Sequence, residues 1–165
     1  MEISIRRYTP DDLDAVAAIW HDGWASTGMN ALIAPQNLTS LEDLRQRLPR
    51  DIAGGWEVFV ACRRAIPVAF LAMSPNYIHQ LFVVPGAQSQ GIGKTLLDFA
   101  KQSLPQGFAL TTPTASLRAI AFYEREGLIA GHRDIHPRHG LERIHFRWAP
   151  QPEKPPALGE ASGPS

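Results

Sequence analysis

Between Pro85 and Gln102 the chain reads PGAQSQGIGKTLLDFAKQ, and Gln88, Gly91, Gly93, Lys94 and Thr95 are spaced as an anion-binding loop would be. Glycines let a backbone come close to a ligand. The free N–H groups of a helix's first turn point at whatever lies before it, and the helix dipole favours negative charge there. Gly93-Lys94-Thr95 is how a nucleotide P-loop ends, but that motif needs a glycine at position 88, which is Gln88. Gly91-x-Gly93 is how a dinucleotide-binding turn begins, but its third glycine would fall at Leu96. Both nucleotide motifs fail. What remains is a phosphate-sized loop at a helix start or, in the plainer alternative, two glycines that only permit a tight strand-to-helix turn.

Other reactive side chains carry less. His132, His136 and His139 surround a hairpin late in the chain. No cysteine or nearby acid pattern completes a zinc-type set, so no metal is expected. Cys62 follows the apolar run Val58-Phe59-Val60-Ala61 and reads as a small strand residue rather than a nucleophile. A single thiol forms no internal disulfide, which suits a reducing cytoplasm. The 16 basic and 16 acidic side chains cancel, which gives no global electrostatic case for nucleic acid or a membrane surface. MEISIRRYTP lacks the apolar core of a signal peptide, and no run approaches transmembrane length, so a cytoplasmic protein is expected.

The elements that must position the loop follow from periodicity. At 165 residues and 44% hydrophobic, the chain is long and apolar enough for one domain, expected over residues 1–149. Pro150, Pro152, Pro155, Pro156 and Pro164 make 150–165 a proline-rich tail, expected to be flexible. Ile3, Ile5 and Arg7 alternate as a first short strand. Thr9-Pro10-Asp11-Asp12 is a helix start, followed by Leu13, Val16, Ala17, Trp20 and Trp24 on one helical face. Thr39-x-x-Glu42 predicts a capping box for a second helix with Leu41, Leu44 and Leu48 apolar. Trp56–Arg63 and Ile66–Met73 read as strands whose connection, Arg63-Arg64-Ala65, lacks the glycine a tight hairpin favours. Tyr77–Val84 is the strongest strand, with His79, Leu81 and Val83 expected on one face and Ile78, Phe82 and Val84 on the other. A helix from Gly91 to Gln102, a strand Phe108–Thr112, a helix capped by Ser116 and closed by Gly127, and two final strands complete the order β-α-α-β-β-β-α-β-α-β-β. The central β-α-β implies a parallel pair, and the rest should be mostly antiparallel.

Two motifs inside that order resemble a known family. Gln88-x-x-Gly91-x-Gly93, after the strand HQLFVVP, is similar to the acetyl-CoA signature of the GNAT superfamily of N-acetyltransferases. SLRAIAFYEREGL, Ser116 to Leu128, resembles that family's second motif, with Ala119, Phe122, Tyr123, Glu124 and Gly127 in register. It departs from the usual pattern at Ser116, where asparagine is usual, and at Leu128, where phenylalanine is usual. The likeness covers roughly Ile3 to Trp148. It implies an α+β GNAT fold: a mixed, mostly antiparallel sheet with a parallel β-α-β acetyl-CoA site, flanked by helices.

The resemblance also implies a chemistry and its residues. The anion becomes the pyrophosphate of coenzyme A, held by amides around Gln88, Gln90, Gly91, Ile92, Gly93, Lys94 and Thr95. The pantetheine arm would lie along Phe82, Val83 and Val84, in a gap facing Phe108–Thr112, and Ser116 and Tyr123 would also touch the cofactor. Pro113 removes a backbone donor beside that gap. A backbone N–H near Val83 could stabilise an oxyanion. Tyr123 aligns with a tyrosine that protonates the departing thiolate. His79 stands where a base or substrate contact sits in the family, with Glu57 in reserve. The first two helices and their loop would border the acceptor. There Trp20, Trp24, Met29, Leu32 and Ile33 make an apolar wall, with Trp24 and Met29 the chosen contacts. The reading is acetyl transfer from acetyl-CoA, as co-substrate, to a primary amine, most simply a small-molecule or amino-acid-like acceptor. A protein amine remains open, and a homodimer is compatible with it. The rival reading is a non-catalytic acyl-CoA sensor on the same fold.

Overall fold

A computed structural model describes residues 2–150. The rest of the proline-rich tail, 151–165, lies outside the described residues. The elements are β1 (Ser4–Arg7), α1 (Leu13–Ala25), α2 (Leu41–Ala53), β2 (Glu57–Arg63), β3 (Ile66–Ser74), β4 (Tyr77–Val83), α3 (Ile92–Ser103), β5 (Phe108–Pro113), α4 (Leu117–Arg125), β6 (Ile129–Ile135) and β7 (Glu142–Trp148). The strands form one sheet in the order β1-β2-β3-β4-β5-β7-β6. All neighbours are antiparallel except β4 and β5, which are parallel. This is the expected mixed, mostly antiparallel α+β architecture, with one parallel pair.

Alternate strand residues bury against helices on each face. Val16, Ala17, Trp20, Leu44 and Leu48 of α1 and α2 pack on Val58, Val60, Phe70 and Ala72. On the other face, Leu96, Leu97 and Ala100 of α3 pack on Phe59, Ala61, Ala69 and Leu71. The helices of the two layers carry their apolar residues on one stripe, as amphipathic helices on a sheet must.

Three local expectations change. The capping box on α2 sits one residue later than Thr39-Glu42. Ser40 Oγ accepts from the Asp43 N–H and Asp43 Oδ2 accepts from the Ser40 N–H, both at 3.0 Å. The sequence holds two overlapping boxes, and the one formed leaves Thr39 free to line a cavity. Ser116 stands at the start of α4 but makes no capping bond with its side chain. The β2–β3 hairpin turns without glycine: Arg64 and Ala65 take φ of 52° and 66°, the two left-handed residues that a type I′ turn requires.

Arg6 ties β1 to the turn before α1. Its guanidinium donates to both oxygens of Asp12, at 2.7 and 2.9 Å, and Asp12 Oδ2 also accepts the Thr9 N–H at 2.8 Å. Asp12 is buried, and the Arg6 hydrogen bonds hold its carboxyl below the ordinary 3.8. A lowered carboxyl pKa adds stability that is complete above the ordinary value and is lost as pH falls through the folded one. Asp12→Asn should therefore lower the melting temperature at pH 7, and the gap to the parent should close below about pH 4. Thermal melts across pH 2.5–8 check this; a pH-independent gap would mean that the carboxylate charge is not what stabilises the corner.

Candidate active site

The site begins at an irregularity in β4. Ala72 pairs with Gln80 while the next residue, Met73, pairs with Ile78. Two steps on β4 thus answer one on β3, and His79 is the extra residue of a β-bulge. Bulges re-aim side chains beside functional sites. Here the bulge overturns the alternation expected for this strand. Ile78 joins Leu81 and Val83 on the α3 face. His79 lies against Trp56, on the α1–α2 side with Phe82. Simple period-two counting cannot see this, because a bulge is set by the partner strand's register.

The bulge precedes an opening in the sheet. β4 and β5 pair in register only at Tyr77 and Ala109, supported by an Ala109 N–H to Asn76 carbonyl bond of 2.9 Å. The Val84 N–H is spent on the Val68 carbonyl of β3, at 2.8 Å. Backbone groups alternate sides along a strand, so those of Val83 face β5 across the opening. Gln88 Nε2 donates to the Val83 carbonyl at 3.3 Å, which leaves the Val83 N–H directed into the gap. Phe82 and Val84 can offer a ligand there their side chains rather than their backbone donors. Close packing sets the wall of this opening: a Cβ on Gly23 of α1 would meet Phe82 Cδ1 at 2.8 Å. Gly23 went unnoticed in the sequence because nothing local marks a close helix–strand contact.

Past the opening, the loop reaches α3. Gly91 takes φ of +80° at the N-cap, and a Cβ there would touch nothing within 4 Å. Its glycine is required by conformation, not by crowding. Gly93 has no such φ, and a Cβ would meet Phe122 at an ordinary 3.6 Å. The amides of Ile92, Gly93 and Lys94 open the helix and have no partner one turn earlier. The Ile92 side chain is buried. The Lys94 ammonium is held by Glu126 at 2.9 Å and Asp98 at 3.4 Å. Thr95 Oγ1 donates to the Gly91 carbonyl at 2.9 Å. For Ile92 and Lys94 the backbone is what faces the loop, while the Thr95 N–H is itself spent on the Gly91 carbonyl at 3.0 Å. Two arginines missed in the sequence frame it. Arg118 on α4 donates to Gln88 Oε1 at 3.1 Å and to Ser89 Oγ at 2.7 Å, and Arg63 donates to Gln90 Oε1. These amides and guanidiniums form a donor set suited to a polyphosphate.

A cavity of about 220 Å³ lies beside the opening. It brings together His79 and Phe82 of β4, Ser116 and Tyr123 of α4, and Trp24 and Met29 from α1 and the loop after it. Trp20 and Ile33 also line it, while Leu32 is exposed and outside it. Trp24 donates its indole N–H to Asn30 Oδ1 at 2.8 Å, which fixes that wall. Glu57 is exposed, pairs with Arg7 at 3.8 Å and is not among the lining residues, so it is no reserve base.

Burial pushes the Tyr123 phenol up to about 12, which keeps it protonated and able to donate at neutral pH. A Schellman-type turn fixes the end of its helix. The Gly127 N–H donates to the Glu124 carbonyl at 3.1 Å and the Leu128 N–H to the Tyr123 carbonyl at 2.9 Å. His79 stacks on Trp56 with ring centroids 4.8 Å apart. Its Nε2 meets Ser74 Oγ at 2.8 Å. Burial lowers its pKa, leaving a neutral imidazole at pH 7. With the proton on Nε2, donated to Ser74, the Nδ1 lone pair is a base.

The three histidines of the last hairpin separate. The His136 and His139 rings stack at 3.7 Å beside the cavity. His132 instead joins Asp134 and His145, whose ligand atoms all lie within 4.8 Å of one another. This supplies the acid that the sequence pattern lacked. The Asp134 oxygens are already held by Arg143 at 2.6 and 3.3 Å, which depresses the carboxyl to about 2.

An open parallel seam, a donor-rich helix start and a cavity holding a phenol and an imidazole lie side by side. The family described as an acetyltransferase (GNAT) domain matches residues 29–149. The chain is 30% identical over 140 residues, 82% of its own length and 88% of the relative's, to the peptidyl-lysine N-acetyltransferase YjaB of Escherichia coli. It is 29% identical over 125 residues, 76% of its length and 80% of the relative's, to YafP of the same organism, described as an uncharacterized N-acetyltransferase. Among solved structures, apo YjaB of Escherichia coli superposes with a TM-score of 0.70 at 21% identity, covering 89% of this chain and 97% of that one. The PaiA N-acetyltransferase of Thermoplasma acidophilum, solved with coenzyme A, gives 0.69 at 18% identity over 90% of this chain and 100% of that one. This chain belongs to the GNAT family of N-acetyltransferases, and its activity is of the acyltransferase class.

Proposed function

We propose that the protein moves the acetyl group of acetyl-CoA directly to the primary amine of a small, amino-acid-like acceptor. The observation that carries this is the placement of His79 and Tyr123 in one cavity beside the β4–β5 opening into which the Val83 N–H is directed. When bound, acetyl-CoA supplies the activated acetyl group. The loop amides of Gln90–Lys94, with Arg118 and Arg63, would hold its pyrophosphate end. The Val83 N–H would face the carbonyl oxygen as charge develops there. His79 would take the proton of the attacking amine at Nδ1, and Tyr123 would give its phenolic proton to the leaving sulfur. The lone Cys62 is buried and takes no part; with one thiol and no helix among the described residues able to cross a membrane, we place the enzyme in the cytoplasm.

The deciding experiment is a thiol-release screen with acetyl-CoA against a panel of amines, with and without each acceptor. Acceptor-dependent release supports transfer. CoA binding with no release for any amine or lysine peptide would favour the sensor. A lysine side chain is the second reading, favoured by the name of the relative at 30% identity; faster turnover on lysine peptides than on free amines would establish it. The phosphate assignment has its own test. Gly91→Asp adds a charge at a φ that disfavours side chains, and should weaken CoA binding at least tenfold, about 1.4 kcal/mol. Calorimetry on the folded variant checks this, and unchanged affinity would move the pyrophosphate elsewhere.

A further inference from the structure

The charges around the acceptor cavity are of one sign. Arg47, Arg138 and Arg143 line it with His21, His79, His136 and His139, and among the described residues no aspartate or glutamate does. Arg143 is neutralised by its two bonds to Asp134. Of the other two, Arg47 has only a long ion pair and Arg138 has none among the described residues. Arg47 has a side chain only 16% exposed, lies over the Trp20 ring at 4.8 Å, and reaches its nearest carboxylate, Asp51, at 3.9 Å. Asp51 Oδ2 makes no hydrogen bond among the described residues. Arg138 has no carboxylate within ion-pair distance among them. A largely buried guanidinium sharing a cavity with a second one is costly without an anion between them.

The arrangement is built rather than incidental. Arg138 rides on the turn between β6 and β7. That turn is pinned by the stacked rings of His136 and His139 and by Trp24, whose ring lies 5.5 Å from His139. Nδ1 of His136 accepts the Arg138 N–H at 3.0 Å, and Nδ1 of His139 accepts the Leu141 N–H at 3.3 Å. Both imidazoles are therefore spent as neutral acceptors. Burial, and then the neighbouring His139 and arginines, lower His136 to about 4. Arg47 and Arg138 also both line a second hollow of about 230 Å³, which shares Thr39 with the first. Its one carboxylate, Asp43, is tied to the Ser40 cap.

We infer that the acceptor amine also carries a carboxylate, and that Arg47 and Arg138 read that carboxylate where α2 meets the β6–β7 turn. This rests on the acetyl-transfer reading and narrows its substrate class. The same charges serve the reaction. A cationic cavity disfavours an ammonium and so favours the neutral amine that attacks. A carboxylate restores the balance and selects against diamines and polyamines, which bring more positive charge.

The test compares acceptors of equal length that end in a carboxylate, an amide or a second amine: 4-aminobutyrate, 4-aminobutanamide and putrescine, then the five- and six-carbon sets. At the best length the carboxylate should exceed the amide at least tenfold in kcat/KM, with the diamine last. The preference should shrink with added salt, since Arg138 is exposed. Arg138→Gln should reduce the carboxylate-over-amide preference severalfold, chiefly by raising KM for the carboxylate, and Arg47→Gln should do the same if it folds. O-phosphoethanolamine shows whether a phosphate can take the carboxylate's place. An amide or diamine used as well as the carboxylate, or a preference untouched by Arg138→Gln, overturns the inference while leaving acetyl transfer standing. If no amine is acetylated, the transfer reading fails, and glutarate titrated into the CoA-loaded protein decides this one separately. Binding lost in Arg138→Gln supports an anion site, and no binding removes it.

Discussion

Replacing Tyr123 with phenylalanine should lower turnover by roughly 10²–10⁴, the usual range for removing a general acid, and leave CoA affinity near that of the parent. The reason lies in where charge appears. As the new amide forms, sulfur leaves with an electron pair, and a phenol within reach can protonate it where a phenyl ring cannot. Burial keeps that phenol protonated to about 12, so no alkaline loss of activity should come from it near neutrality. The ring packs against Phe122 and Phe146, at 5.2 and 5.7 Å between centroids, and phenylalanine keeps those contacts. Steady-state kinetics beside a CoA titration separates the cases. Normal turnover with an intact chemical step rejects the acid role, and equal losses in rate and CoA affinity would make Tyr123 a binding residue.

His79→Gln should cost about 10²-fold in turnover and change the pH profile. As the proposed base, His79 would be active as the neutral imidazole, and burial lowers its pKa below 6.5. Turnover should therefore hold steady as pH falls to the ordinary histidine range, then decline with a midpoint below 6.5. Glutamine removes that acid limb along with the activity. Ser74→Ala should move the limb, because it frees the Nε2 that Ser74 engages at 2.8 Å. A purely structural histidine would instead show a melting-temperature loss in His79→Gln, with the limb unmoved and turnover near normal.

Much of this site was legible before folding because its signals are local. The loop from Gln88 to Thr95 announces itself through glycine conformation and a helix start, and Gly91 does take the left-handed conformation. The second motif carries Tyr123 on a short helix closed by Gly127, and that turn forms as its composition implies. The order of strands and helices, including the parallel crossover, follows from period and from the right-handedness of β-α-β connections.

Tertiary structure alone decided the rest. Whether His79 faces α1 or α3 depends on a bulge, and the bulge is fixed by pairing with β3 rather than by the residues of β4. Gly23 matters because α1 crosses β4 at Phe82, a contact between segments almost sixty residues apart. The cation-lined cavity gathers Arg47 from α2, Arg138 from a turn and Arg143 from β7, in a chain whose 16 basic and 16 acidic side chains balance. Composition sums charge over the whole surface, whereas binding responds to the few groups that the fold brings within a Debye length, about 10 Å at 0.1 M salt. The residue types and local turns thus specified what chemistry the chain could do. The sheet register and helix crossings determined which side chains share one cavity, because those contacts join segments that sequence spacing keeps apart.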